Sequence, residues 1–298
     1  MSFSSNVKAE LCRLPLHKTC CAVAEAYGVL LFCNTFLPGG IRIVTESREF
    51  AARLPKLFRK AFGLEFDQVP DSDRGKQVFL IEEKEKLGRI YTAFGLDMET
   101  IVTLHVNLGI LEEECCRIAF LRGAFLAGGS VTDPEKRYHL ELATSHLKAS
   151  REVYSLMLEQ GFLVKDTVRS ANYILYFKQS DYIEDFLTAL GAPVCAMHIM
   201  EAKVEKDMRN EINRRVNCDT ANMTKVVDAA QEQLAAIRRL EASGQFAELP
   251  DKLRKTAELR KAYPEATLSE LAQMQEPPLT KSAINHRMRK LMELSGGK

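Results

Sequence analysis

Between residues 280 and 292 the chain carries Lys281, Ser282, Asn285, His286, Arg287, Arg289 and Lys290 and no acidic side chain. These residue types suit a DNA duplex. Lys and Arg neutralise phosphates, while Arg and Asn also bond base edges bidentately, Arg to guanine and Asn to adenine. Lys281, Asn285 and Arg289 recur every four residues, with Ser282, His286 and Lys290 in a second polar row beside them. Ile284, Met288 and Leu291 supply the apolar stripe of the same helix, which predicts one buried face and one face turned outward. Lys281, Ser282, Asn285, His286, Arg287 and Arg289 are therefore the candidate base readers. Lys290, with Arg214 and Arg215 upstream, is a candidate phosphate contact. The bland alternative is a solvated helix, and the surrounding elements decide against it.

Other chemistry finds little support in the residues. His17, Cys20 and Cys21, or His105, Cys115 and Cys116, could be imagined around zinc, but adjacent cysteines lack the paired spacing of known fingers. No metal or other cofactor is expected. His139 and His146 read as packing or surface residues. Phosphate-cradling glycine loops, a GxSxG elbow and a triad-like arrangement are all absent from the sequence.

The polar helix needs neighbours to present it. Helical patterns run from about Asp251 to Ala262, stopping before Pro264, then Leu268 to Met274, then Lys281 to about Leu294. Thr267 with Glu270 forms a capping box, and Thr280 can cap the last helix. Gln275 to Leu279 is a short turn between them, so the last two helices read as a helix-turn-helix. Ahead of them Met223, Val226, Val227, Ala230, Leu234 and Ile237 repeat at helical spacing, with Gly244 as a stop. The Asn- and Arg-rich stretch before that is expected to be a linker, 199–222.

The first two hundred residues repeat themselves at an offset of about 95 to 98 residues. Ala26 to Asn34 lies over Leu121 to Gly129, each an apolar helical stretch with one interior glycine, Gly28 or Gly123. Strand-like residues follow in each copy (Ile41 to Thr45; Tyr138 to Ala143), then an amphipathic helix (Phe50 to Phe62; Lys148 to Gln160) closed by Gly63 or Gly161. A further strand (Gln77 to Ile81; Tyr173 to Phe177) and a last helix complete each copy. A helix-interior glycine costs about 1 kcal/mol relative to alanine, so matching glycines imply two backbones in close approach across a pseudo-twofold.

This body resembles the LAGLIDADG homing endonucleases, with Leu121-Arg122-Gly123-Ala124-Phe125-Leu126-Ala127-Gly128-Gly129 as a degenerate second motif. The resemblance implies a metal-binding carboxylate at the end of each motif, because a hard divalent cation wants oxygen ligands. Those positions hold Cys33 and Gly128, and neither can supply one. Glu25 and Asp133 are the nearest acids and are out of register. The resemblance therefore implies a nuclease scaffold that has lost the nuclease, not an enzyme. The fold class expected is α+β: a duplicated LAGLIDADG-like αββαββα scaffold followed by an all-α helix-turn-helix domain.

The whole chain resembles the WhiA family of bacterial regulators. Thr280-Lys281-Ser282-Ala283-Ile284-Asn285-His286-Arg287-Met288-Arg289-Lys290-Leu291 matches the recognition stretch, and Cys115 to Leu126 with Tyr138-His139-Leu140-Glu141 matches the central motif. The resemblance implies a DNA-binding transcriptional regulator of cell division and, in some relatives, of sporulation. The expected domains are 1–198 (halves about 1–110 and 111–198), the linker 199–222, and 223–298.

Composition agrees with two globular domains: 298 residues, 46% hydrophobic and 27% charged. A formal charge of +1 hides an asymmetry, since residues 1–199 carry two more acids than bases and 200–298 three more bases than acids. Lys252, Arg254, Lys255, Arg260 and Lys261, facing only Glu258, form a second basic cluster. In the body, Arg42, Lys76, Arg137 and Lys178 lie on or beside strands, balanced by Glu46, Glu82, Glu83 and Glu141. Double-stranded DNA is thus expected at the tail, and a partner regulator or RNA polymerase at the body. With no long apolar run, the chain is expected to be cytoplasmic and nucleoid-associated, its eight cysteines reduced, and monomeric. An active metal-dependent endonuclease and a ligand- or protein-gated DNA-binding module are the alternatives.

Overall fold

The computed structural model describes residues 2–72, 75–101 and 103–296. It divides into two units, Met1–Lys206 and Asp207–Lys298. No helix of the described residues is long and apolar enough to cross a membrane.

The first unit opens with α1 (Phe3–Cys12), capped by the Ser2 hydroxyl, which accepts from the Ser5 N–H at 3.2 Å. The duplication follows. The first copy runs α2 (Thr19–Phe32), β1 (Thr35–Leu37), β2 (Gly40–Thr45), α3 (Arg48–Phe62), β3 (Gln77–Ile81) and α4 (Lys84–Ala93). The second runs α5 (Glu114–Gly128), β4 (Gly129–Val131), β5 (Leu140–Thr144), α6 (Leu147–Glu159), β6 (Lys165–Arg169), β7 (Asn172–Phe177) and α7 (Ser180–Leu190). Both sheets are antiparallel, in the orders β1-β2-β3 and β4-β5-β7-β6. Among the described residues the first copy has no strand equivalent to β6. A single bridge, Gln68 against Leu80, stands where that strand pairs in the second copy.

α2 and α5 are apolar nearly all round because they form the centre of the unit, with Ala26, Val29, Leu30, Phe120, Leu121 and Ala124 wholly buried. Their glycines make this possible. A Cβ on Gly28 would lie 2.0 Å from the Phe120 carbonyl oxygen, and one on Gly123 would lie 2.0 Å from that of Glu25. The close approach expected across the pseudo-twofold is present, and only glycine fits on either side.

Across the same seam Glu25, 1% exposed, accepts from Arg53 Nε at 2.6 Å and a second Arg53 nitrogen at 2.9 Å. Arg122 of the other copy reaches the same carboxylate at 3.4 Å. Arg53 also bonds the carbonyls of Cys12 and Leu14, and Arg122 that of Leu190. A buried charge is tolerable only when paired and hydrogen-bonded, and this one ties α2, α3 and α5 together.

The segment expected to be a linker is helical. α8 runs from Pro193 to Ala242 and contains all of 199–222, so the helix expected from Met223 begins well before it. Gly191 ends α7 in the left-handed region, and Pro193, whose missing N–H costs nothing in a first turn, starts the new helix. Cys195, Ala196, Ile199 and Ala202 bury its beginning in the first unit, and Ile237 and Leu240 its end in the second. From 207 to 229 the helix is exposed, and its apolar residues Ile212, Val216, Met223 and Val226 share their seam with Arg209 and Asp219, so the helical period is interrupted and the stretch reads as a linker in sequence.

Candidate nucleic-acid interface

In the second unit α9 (Asp251–Ala262), α10 (Leu268–Gln273) and α11 (Lys281–Leu294) close over the end of α8. Ile237, Leu240, Leu253, Ala257, Leu271, Ile284, Met288 and Leu291 form its core. The expected stripe of α11 is the buried one. Both expected caps are present. The Thr267 hydroxyl accepts from the Glu270 N–H at 3.3 Å while the Glu270 carboxylate accepts from the Thr267 N–H at 2.7 Å. These bonds to the backbone hold the Glu270 carboxyl below its usual range. The Thr280 hydroxyl accepts from the Ala283 N–H at 3.2 Å, fixing where α11 begins. The short turn from 275 to 279 therefore joins two capped helices, and α11 is the second helix of a helix-turn-helix.

Burying Ile284, Met288 and Leu291 forces the opposite face outward. Lys281, Ser282, Asn285, His286, Arg289 and Lys290 are all exposed. Lys281, Arg289 and Lys290 make no ion pair among the described residues, so their charge is available to an outside anion. The result is two adjacent rows of phosphate-neutralising and base-bonding groups on a helix stiffened by its own core.

Arg287 does not join this surface. It is half-buried, and one guanidinium nitrogen faces the Lys252 carbonyl at 3.5 Å, the Thr256 hydroxyl at 3.3 Å and Gln275 Oε1 at 3.4 Å. Its reach is inward because α9 and the turn offer acceptors on that side. The second basic cluster also shrinks. Arg260 is 2% exposed and bonds the Ala266 carbonyl at 2.6 Å, burial pulling its pKa down. Lys261 pairs with Glu241, and Arg254 with Asp251 at 2.5 Å. Arg214 and Arg215 are exposed in the middle of α8. At 1.5 Å rise per residue, Arg215 lies roughly 22 Å of helix before Ala230, the next buried residue, and neither arginine is on the α11 face.

The helix ends where the nuclease resemblance puts carboxylates are chemically closed. Cys33 caps α2, its single thiol hydrogen lying within reach of two carbonyls, those of Leu30 and Thr35 at 3.2 Å each, and burial pushes its pKa up to about 12. Gly128 ends α5, where any Cβ would sit 2.4 Å from the Ala143 carbonyl oxygen and 3.1 Å from the Phe32 Cβ. Glu25 is committed to its arginines, and Asp133 Oδ1 accepts from the Glu135 N–H at 3.0 Å. Beside these ends lies a cavity of about 430 Å³ lined by Ser4, Lys8, Asn34, Glu46, Ser47 and Ala127. It offers one carboxylate, Glu46, and an amine, Lys8, whose pKa burial lowers to about 8. A divalent cation needing several oxygens would meet a basic group instead. Among the described residues no group of three or more His, Cys or acidic ligands gathers there.

Sequence reasoning missed the inward turn of Arg287 and Arg260, which depends on carbonyls contributed by other segments. It also missed a convergence of thiols. Cys20 and Cys21 open α2, Cys115 and Cys116 open α5, and the close packing of those helices brings together two pairs that spacing alone had kept apart. The Sγ atoms of Cys20, Cys21 and Cys116 all lie within 4.8 Å of one another.

Comparison with known proteins gives a consistent result. Residues 212–295 match the model of the WhiA C-terminal HTH domain, and residues 117–209 that of the WhiA LAGLIDADG-like domain. The probable cell division protein WhiA of Ruminiclostridium cellulolyticum is 38% identical, covering 99% of this chain and 97% of that protein. The protein of the same name from Alkaliphilus metalliredigens is 37% identical, covering 99% and 98%. Among solved structures, full-length DUF199/WhiA from Thermatoga maritima is similar with a TM-score of 0.61 at 22% identity, over 99% of this chain and 98% of that one.

Proposed function

This chain belongs to the WhiA family, and from that premise we propose that it is a sequence-specific DNA-binding transcriptional regulator of cell division. The observation that carries the reading is the exposed, acid-free face of α11, anchored by an apolar stripe and a capped start. Asn285 and Arg289 read base edges in the major groove, with Lys281, Ser282 and His286 beside them, and Lys290 holds phosphate. Arg287 acts as a positioning residue that clamps α11 to α9 and the turn. Arg214 and Arg215 contribute phosphate contacts outside the recognition helix. The relatives' naming as probable cell division proteins supports the process assigned. Sporulation control belongs to relatives that sporulate.

The body, on this reading, is a regulatory module without nuclease activity that recruits a partner regulator or RNA polymerase, and the chain works as a monomer on the nucleoid. Cys33, the sterically closed Gly128 and the amine of Lys8 beside Glu46 support the loss of cleavage.

Selection of binding sites from random duplexes with the full chain tests the reading, the expected result being one enriched motif. Incubating that motif with the chain and Mg²⁺ is expected to leave it intact. Cleavage abolished by Glu46→Gln would replace the regulator with a metal-dependent endonuclease. Absence of any enriched motif would remove the sequence-specific claim.

A further inference from the structure

The four cysteines at the start of α2 and α5 have no part in DNA reading and lie at the opposite end of those helices from Cys33 and Gly128. They occupy equivalent places in the two copies, Cys20 with Cys21 and Cys115 with Cys116, each pair in the first turn of its helix. Cys116 is buried, Cys21 partly so, and Cys20 and Cys115 reach solvent. The Sγ atoms of Cys20, Cys21 and Cys116 are mutually within 4.8 Å, and Cys115, next to Cys116 in the first turn of α5, is the exposed fourth thiol.

These dimensions match one particular use of sulfur. In a tetrahedral site with metal–sulfur bonds of about 2.3 Å, ligand sulfurs stand roughly 3.8 Å apart. An iron–sulfur cluster needs a wider cage, whereas a single ion needs a compact one. The surroundings favour negative sulfur: the N-terminal ends of two helices converge there, and Lys18 precedes the first. Solvent access through Cys20 and Cys115 gives a metal a way in.

We infer that Cys20, Cys21, Cys115 and Cys116 form a four-thiolate site for one zinc-class divalent cation. The ion binds as each thiol releases its proton to solvent, with no change in oxidation state. It pins the starts of α2 and α5 together, so its role is structural, joining the two copies at the end away from the degenerate nuclease centre.

The full chain, produced with zinc in the medium and purified under reducing conditions, provides the test. One zinc per chain is expected by elemental analysis. Exchange with Co²⁺ should give sulfur-to-cobalt charge-transfer bands together with tetrahedral d–d bands. The double variant Cys20→Ser/Cys116→Ser should lose the metal, and Cys218→Ser, whose thiol is exposed on α8, should keep it. Alkylation mapping of the unmutated chain does not depend on that variant folding. Zinc should slow modification of the four cluster thiols at least roughly tenfold relative to Cys218, and a chelator should abolish the difference. Substoichiometric zinc without cobalt–thiolate bands, retention of the metal by the double variant, or unprotected thiols would each overturn the inference. So would a disulfide between Cys20 and Cys116 found in the purified reduced chain.

Discussion

Asn285 and Lys290 stand on the same helix and carry different kinds of information. An amide can bond adenine at two points, so Asn285→Ala should relax preference at one base pair by about 1–3 kcal/mol. Lys290→Ala should weaken selected and random duplexes alike, because phosphate is present in every sequence. Binding measured on the selected site, its single-base variants and random DNA separates the two. Equal shifts for both mutants would remove the recognition role. In the body, Glu25 is the residue whose loss should be felt most. Glu25→Ala strands Arg53 and Arg122 in a buried setting and should cost about 3–5 kcal/mol in denaturant unfolding. At this scale the sequence spoke clearly about Asn285 and Arg289, because their spacing repeats around a helix. It set Arg287 among the base readers and Arg260 in an outward basic cluster, whereas their partners come from α9, the turn and the 264–266 loop. Types and intervals say where a side chain starts and not which carbonyl it finds.

The helices themselves were largely legible. α3, α6 and α9 to α11 begin and end within a residue or two of the periodic stretches, because each has one apolar face and a clear stop. α8 escaped because Arg209 and Asp219 interrupt the apolar seam of its exposed middle, so hydrophobic period marked only its later turns. The glycines of α2 and α5 carried the most information of any single residues, and they allow a contrast. Gly123→Ala would drive a methyl to within 2.0 Å of the Glu25 carbonyl and should destabilise the body by about 3 kcal/mol or more. Gly88→Ala, inside α4 with nothing within 4 Å of the new methyl, should stabilise it by up to about 1 kcal/mol. Thermal unfolding of both variants checks the pair, and similar effects from the two would deny the close approach. The thiol group at the starts of these helices was hidden for a related reason. Ligand spacing is a local signal, and here the ligands are joined only by packing between copies.

Across the whole molecule, a formal charge of +1 describes neither unit. The three phosphate contacts, Lys290, Arg214 and Arg215, suggest a plot of log affinity against log salt with slope of about −3, and Lys290→Ala should make it shallower by about 1. Residues 207–298 alone should show nearly the same slope as the full chain, since the body carries an acidic excess. A much steeper slope for the full chain would mean that the body grips DNA as well. Monomeric sedimentation at micromolar concentration is expected despite exposed Ile212, Val216, Met223 and Val226 on α8, because Arg209 and Asp219 fall on the same seam and spoil its heptad. Gly128 has a consequence that reaches past the present molecule. Its Cβ would collide with the Ala143 carbonyl, so a mutation installing an acid there would break the packing before it could restore any chemistry. Reversion would require a compensating change in the neighbouring strand at the same time. The glycine acts as a ratchet, holding the scaffold away from cutting through every single-step mutational path at that position.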